Sequence, residues 1–276
     1  MKKGVFTWIG YHVPTDRLLR SIKDAGFQTI MLDWTNWYDV EDRNKGYIDH
    51  VQNFGLEIEN VHLPFKSVNQ IWLDNLKGEE IAEIFQNDIT LVAERSVPVL
   101  VIHSSNDNAP PVSNVGLARF RSLIDQATRL NVKLAFENLR ALEHLHTIFD
   151  SEDASRAGMC YDIGHNHCYT HDDSLLARYS DRILAVHLHD NDGCTDRHLI
   201  PFDGTIDWKA EIETLGKSSY QGSITLEISG HAQEPLEERL QRASMAADRL
   251  IELCKRDNSI ALISNYHSDL ELFLIT

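Results

Sequence analysis

Six short apolar runs in this chain each stop at a residue able to bind a metal ion: His62 in NVHLP, His103 in LVIHSS, Glu137 in LAFEN, Asp162 in CYDIGH, His187 in AVHLHD and Glu227 in TLEIS. Glu137, Asp162, His187 and Glu227 supply three carboxylates and one imidazole. That mixed oxygen and nitrogen set suits Mn2+, Zn2+, Co2+ or Mg2+ better than a thiolate-loving metal. Taken singly, each carboxylate reads as an ion-pair partner or a helix cap. Gathered at one place, three of them repel one another unless a cation or bound protons intervene. The four are therefore candidate ligands of a divalent ion, and no motif calls for an organic cofactor.

A second set of ligand types accompanies the first. Asp162 and His165 form a DxxH pair, and Asp196 and His198 form a DxH pair in a polar stretch, NDGCTDRHLIPFDGTID. With His62 and His103, the residues His165, Asp196 and His198 are either a zinc-compatible cluster beside the carboxylates or hydrogen-bond donors to substrate and backbone. Asp190 and Asp192 are candidates for orienting imidazoles, or are simply solvated loop residues.

Ligands spread over 165 positions from His62 to Glu227 need a scaffold that brings strand ends together. Strand-like runs begin near Gly4, Phe27, Leu56, Pro98, Val132, Gly158, Arg182 and Gly222, and the stretches between them carry helical periodicity. Leu18, Leu19 and Ile22 share one face of a helix stopped by Gly26. Ile81, Ile84, Phe85, Ile89 and Val92 do so over Glu79 to Ala93. Eight β-then-α repeats predict a parallel sheet closed into an α/β (β/α)8 barrel, with every strand's C-terminal end at one mouth. The 276 residues fit a single such domain over 1–257. A C-terminal extension, 258–276, would pack on the barrel or on a neighbouring subunit of a homo-oligomer. The stretch between Asp190 and Trp208 is too long for an idle connection and is expected to be functional.

The formal charge of −16 disfavours nucleic acid as a partner. Four cysteines without a CxxC pair point to a reducing compartment, the cytoplasm. The apolar stretch after Lys2 and Lys3 is broken by His12 and Pro14, so neither a signal peptide nor a membrane span is expected.

The series VHLP, IHSS, FEN, DIGH, HLHDND, DRHLIPFDGTIDW and LEI, running from about Gly4 to Leu253, resembles the xylose isomerase-like TIM barrel superfamily. That superfamily contains sugar phosphate isomerases and epimerases and shares its barrel with endonuclease IV. The resemblance implies a metal held by Glu137, Asp162, His187 and Glu227, with Glu137 and Glu227 also moving protons. It further implies a small carbohydrate substrate and isomerase or epimerase chemistry through a metal-stabilised enediolate, or dehydration of a keto-sugar such as an inosose. All nine positions that match the ligands of endonuclease IV are also present: His62, His103, Glu137, Asp162, His165, His187, Asp196, His198 and Glu227. A zinc phosphodiesterase is thus the alternative. Two departures bear on the substrate. Phe202 stands where relatives commonly carry glycine, and Gly193 stands where epimerases often carry an arginine, a role open to Arg197. Trp8 and Trp34, with Asn36, Trp37 and Tyr38 after the second strand, offer flat faces for sugar C–H groups. Asp33, Asp39, Glu41 and Asp42 make the same region acidic.

Overall fold

A computed structural model describes residues 1–34, 46–152, 156–172, 174–231 and 233–272, with Gly46 and 256–272 described by backbone alone. Asn36, Trp37, Tyr38, Asp39, Glu41 and Asp42 lie outside the described residues.

Eight parallel strands form one sheet: β1 Lys3–Phe6, β2 Thr29–Asp33, β3 Glu57–His62, β4 Val99–His103, β5 Lys133–Glu137, β6 Ala157–Asp162, β7 Ile183–His187 and β8 Ile224–Leu226. Each begins within two residues of its expected start. They lie in the order β7-β6-β5-β4-β3-β2-β1-β8. The ring closes where Leu188 N donates to Thr225 O at 3.0 Å and Glu227 N to Leu188 O at 3.2 Å. The fold is the expected (β/α)8 TIM barrel.

Strand alternation aims the ligand-type residues. Val99, Val101, Ala135, Cys160 and Ala185 pack together inside the barrel, while Leu100, Ile102, Leu134, Phe136 and Tyr161 join the larger core against the helices. Side chains two apart share a face. His103, Glu137, Asp162 and His187 each stand two residues beyond an inward-facing member of the small cluster, so all four face inward at the top of the barrel.

The helical layer comprises α1 Thr15–Asp24, α2 Gly46–Asn53, α3 Leu76–Glu94, α4 Asn114–Arg129, α5 Leu142–Ser151, a single turn α6 Ile163–His165, α7 Leu175–Arg178, α8 Trp208–Gly216 and α9 Leu236–Leu272. In α1, Leu18, Leu19 and Ile22 are buried as expected. Gly26 ends the turn at φ 87°, in the left-handed region open to glycine. In α3, Ile81, Phe85, Ile89 and Val92 face the core, but Ile84 is 47% exposed. Its place beside Phe85 falls just outside the stripe that the barrel covers. The α9 backbone is helical through Leu272, so the segment from 258 begins within the last helix and not after it.

The 190–207 loop has a buried organiser. Asp190 accepts hydrogen bonds from Asn191 N at 2.9 Å, Phe202 N at 2.9 Å, Ile206 N at 3.2 Å and Trp208 Nε1 at 2.7 Å. It neither orients an imidazole nor is solvated. A Cβ on Gly204 would lie 2.3 Å from Asp190 Oδ1, so this DG turn requires glycine. Phe202 takes φ 78°, which keeps the turn that glycine would make more easily. Its ring is held 5.9 Å from Trp208 and under the Arg249 guanidinium at 3.7 Å. All four cysteines are free. No helix among the described residues is long and apolar enough to cross a membrane.

Candidate metal centre

Glu137, only 1% exposed, is surrounded by imidazoles. Its Oε2 lies 3.1 Å from Nε2 of His62 and 3.1 Å from Nε2 of His103. Its Oε1 lies 3.1 Å from Nδ1 of His165 and 3.4 Å from Nδ1 of His187. On one side it completes a group with His62 and His103; on the other it completes a group with Asp162, His187 and Glu227.

In the second group His187 Nδ1 lies 3.1 Å from Glu227 Oε2 and 3.5 Å from Asp162 Oδ2. Neither His187 Nδ1 nor Glu227 Oε2 forms a hydrogen bond, although both are buried. Buried polar atoms seldom go unpaired. Atoms that converge without bonding one another are what ligands of a shared ion look like.

A third group contains His165, His189, Asp196 and His198. The five residues of the second expected set therefore divide: His62 and His103 group with Glu137, while His165, Asp196 and His198 group with His189, and His165 borders both, its Nδ1 3.1 Å from Glu137 Oε1. His189 is the member missed from sequence. It lies two residues beyond His187 and so on the same face, and that spacing in HLHD was the available signal. A Cβ on Gly164 would come within 1.9 Å of the His189 ring, so the glycine of DIGH makes room for it.

Backbone carbonyls fix three of these rings. Nδ1 of His62 donates to Leu63 O at 2.9 Å, that of His165 to Asn138 O at 3.1 Å and that of His198 to Glu227 O at 2.9 Å. A carbonyl only accepts, so Nδ1 carries the proton and a neutral ring turns its Nε2 lone pair outward. In all three cases that lone pair faces a carboxylate: Glu137 for His62, Asp196 at 3.2 Å for His165 and Asp196 at 3.2 Å for His198. Lone pair against carboxylate is repulsive unless a proton or a metal ion lies between them.

The electrostatics agree. Burial alone would raise the pKa of Glu137, but the charges of His103 and His187 hold it well below the carboxylate range. Asp162 is likewise held low against burial by His165 and His189, and Glu227 by His187. Burial would lower His198, but its hydrogen bond to Asp196 and the charge of Glu227 raise it to about 9. His165 rises well above its ordinary value against burial, through Asp162 and Asp196. Burial dominates at His103, whose pKa falls despite Glu137. No lysine or arginine pairs with these carboxylates among the described residues; the charged partners that face them are imidazoles, and Asp162 Oδ1 also accepts from His165 N at 2.6 Å. The residues fit a divalent cation.

Other expected residues divide between mouth and wall. Trp8, 48% exposed, follows β1 at the mouth. Trp34 is 3% exposed and donates from Nε1 to Asp88 of α3 at 2.8 Å, so it packs the wall rather than facing a substrate. Arg197 lies in the loop with Nη1 3.6 Å from Asp192 Oδ2. Asp192, an exposed residue, accepts from Cys194 N and Thr195 N and orients no imidazole. Two aromatics at the mouth carried no sequence signal. Phe65 stacks on His103 with centroids 4.6 Å apart. Tyr169 stacks on His165 at 5.4 Å, with the Arg140 guanidinium 3.5 Å above it. Tyr169 lies on a π-helical segment, Asn166–Thr170, an irregularity often found at functional sites.

Residues 19–253 match the sequence model of the xylose isomerase-like TIM barrel. The chain belongs to that family. Within a 160-residue match it is 32% identical to the uncharacterized protein y4fM of Sinorhizobium fredii, covering 52% of this chain and 51% of that protein; the chain thus spans about half the length of that relative. Among solved structures, an L-ribulose 3-epimerase superposes with TM-score 0.76 at 15% identity, over 94% of this chain and 97% of the epimerase. A zinc-bound IOLI protein superposes with TM-score 0.73 at 16% identity, over 93% and 99%. Among members of the xylose isomerase-like family, at these identities, the likeness is one of fold.

Proposed function

We propose that this protein is a divalent-metal-dependent isomerase or epimerase of a small carbohydrate, working by proton transfer next to a carbonyl. The observation that carries the reading is the difference between its two glutamates. Each oxygen of Glu137 faces two imidazoles, whereas Glu227 Oε2 faces one, His187 at 3.1 Å, without a hydrogen bond, and the residue is 8% exposed against 1% for Glu137. Glu137, Asp162, His187 and Glu227 would hold a divalent ion, which would supply the Lewis acidity that makes a C–H beside a ketose carbonyl acidic.

Glu227 then takes that proton, and the planar enediolate is reprotonated. Glu137 stands on β5 and Glu227 beyond β8, so they approach the site from different sides. Return of a proton from the Glu137 side to the same carbon inverts it and gives the epimer. Return to the neighbouring carbon gives aldose–ketose isomerisation, and loss of a β-hydroxyl gives dehydration. Phe65 and Trp8 offer apolar faces to the sugar ring or chain. The likeness to an L-ribulose 3-epimerase supports a carbohydrate, and the zinc of the IOLI protein supports a divalent ion. Free thiols support a reducing compartment such as the cytoplasm.

A second reading, an endonuclease IV-like zinc phosphodiesterase, is favoured by one observation: Glu137 is shared by two adjacent ligand groups, with a third group alongside. The deciding experiment applies two assays to one preparation. A panel of free and phosphorylated ketoses and inosose-type ketones is tested for turnover, and an abasic-site duplex is tested for nicking. Turnover without nicking is expected. Nicking that disappears in His103→Ala, with no turnover on the panel, would overturn the proposal.

A further inference from the structure

Asn138 is fully buried beside Glu137 and directs its hydrogen bonds to one turn at the end of β6. Its Nδ2 donates to Asp162 O at 2.8 Å, and its Oδ1 accepts from Asp162 N at 2.7 Å. Its own backbone oxygen accepts from Nδ1 of His165 at 3.1 Å, an atom equally far from Glu137 Oε1. We propose that Asn138 is a positioning residue: its side-chain amide clasps Asp162 to the strand that bears Glu137, and so fixes the separation of two candidate ligands and the size of ion the centre accepts. The inference rests on the metal reading of that centre and not on proton transfer.

The clasp stands where the sheet stops providing one. The ladder between β5 and β6 runs from Leu134 opposite Ala157 to Glu137 opposite Cys160, two residues short of Asp162. There the planar amide of Asn138, with a donor and an acceptor side by side, takes the place of the next peptide group. On its other flank Asp162 pairs with His187 of β7. The carboxylate has partners of its own: Oδ1 accepts from His165 N at 2.6 Å and lies 3.1 Å from His189 Nε2. Those contacts orient the carboxylate but tie it to its own turn and to the end of β7. Asn138 carries the main-chain tie to β5, and hence to Glu137. Rigid spacing has a consequence for which ion fits. Ca2+ takes roughly six to eight oxygens at about 2.3–2.6 Å in adaptable geometry, whereas a smaller ion needs close, fixed ligands. Holding Asp162 at a set distance from Glu137 therefore favours an ion such as Mn2+ over Ca2+, and loosening it reduces that preference.

The test is a ratio of affinities. Mn2+ binding to metal-stripped full-length protein is followed by electron paramagnetic resonance and Ca2+ binding by displacement of Mn2+, with Asp162→Asn marking which signal belongs to the central ion. Asn138→Ala should weaken Mn2+ by about 10–100-fold, as loss of a group that orients ligands does, and Ca2+ by no more than about threefold. A general loosening of the fold lowers both affinities alike and leaves their ratio unchanged. Asn138→Ser, too short to make both bonds, is the second variant and should move the ratio in the same direction. In the unaltered protein the Asn138 side-chain NH2 and the Asp162 N–H should both exchange with deuterium far more slowly than exposed amides, with or without metal, a readout that needs no variant. The proposal is overturned if the two affinities fall by the same factor, if neither falls, or if the Asn138 NH2 exchanges as an exposed amide does. Unaltered protein that binds no ion at the centre would overturn the metal reading together with this proposal, whereas an unchanged ratio in protein that does bind Mn2+ overturns this proposal alone.

Discussion

The backbone oxygen of Glu227 accepts the Nδ1 proton of His198 at 2.9 Å, while the Glu227 side chain reaches to 3.1 Å from Nδ1 of His187. One residue thereby joins the long loop to the centre of the barrel mouth. His198 sits at φ 45°, a left-handed conformation costing an ordinary residue about 1–2 kcal/mol. Strain of this kind persists where surrounding contacts over-determine it, as this hydrogen bond and the stacked His189 ring do here.

Removing a first ligand should remove the ion. Glu137→Gln and Asp162→Asn each exchange a charged oxygen for a neutral amide, and both purified variants are expected to lose bound divalent metal that the unaltered protein retains. Glu137→Gln should have the wider effect, because Glu137 serves two groups. Elemental analysis reads this directly, and equal metal content in all three proteins would eliminate these residues as ligands.

The proton-moving role of Glu227 is separable from its role as a ligand. With a ketose in deuterium oxide, Glu227→Gln is expected to slow solvent exchange at the acidified carbon by about 10²–10⁴-fold, far more than it weakens substrate binding. Exchange at the unaltered rate would show that Glu227 is neither acid nor base.

Metal uptake should depend on pH through His198. Its proton and a metal compete for Nε2, and that proton is held up to about pH 9. Apparent affinity should therefore rise with pH, by about tenfold per unit for each proton displaced, and flatten above about 9. In the metal-free protein the sign for stability is the opposite. A raised folded-state pKa contributes stability that is fully present below the ordinary histidine value of about 6.5 and is lost as pH rises through about 9. Chelator competition and denaturant melts at a series of pH values measure the two trends.

Asp190→Ala should release the loop. It leaves three backbone N–H groups and the Trp208 indole without their acceptor. Each buried orphan costs about 1–3 kcal/mol unless water reaches it. Limited proteolysis is expected to cut between 191 and 207 in this variant and to leave the unaltered protein intact there.

Phe202 offers a test of backbone strain. Phe202→Gly removes a left-handed cost of about 1–2 kcal/mol but also the packing on Trp208 and Arg249, so net stability should change by no more than about 1 kcal/mol. Phe202→Val keeps the strain, worsens it with a branched Cβ and loses the packing, so it should destabilise by about 1–3 kcal/mol. Denaturant titration of both variants tests the order.

The barrel and its ligand-bearing strand ends were legible in the sequence because both follow from short-range periodicities. Alternation along LVIHSS or LAFEN determines which side chains share a face, and a run of eight β-then-α units leaves a closed parallel sheet as the natural solution. Ile84 shows the limit of the same reasoning on a helix: periodicity names a stripe, and only the packed barrel decides where its edge falls. The division of His62 and His103 from His165, Asp196 and His198 was not legible, because it depends on the angular positions of β3 and β4 around the ring and on the path of a loop without repeating structure. Asp190 could not be distinguished from Asp192 by type or spacing; one is buried under four donors and the other is exposed. Trp34 and Trp8 are alike as residues, and the tertiary fold alone turned one into the wall and left the other at the mouth. Local pattern determines direction relative to a strand, whereas grouping, burial and tautomer depend on distances between segments that the chain brings together only when folded.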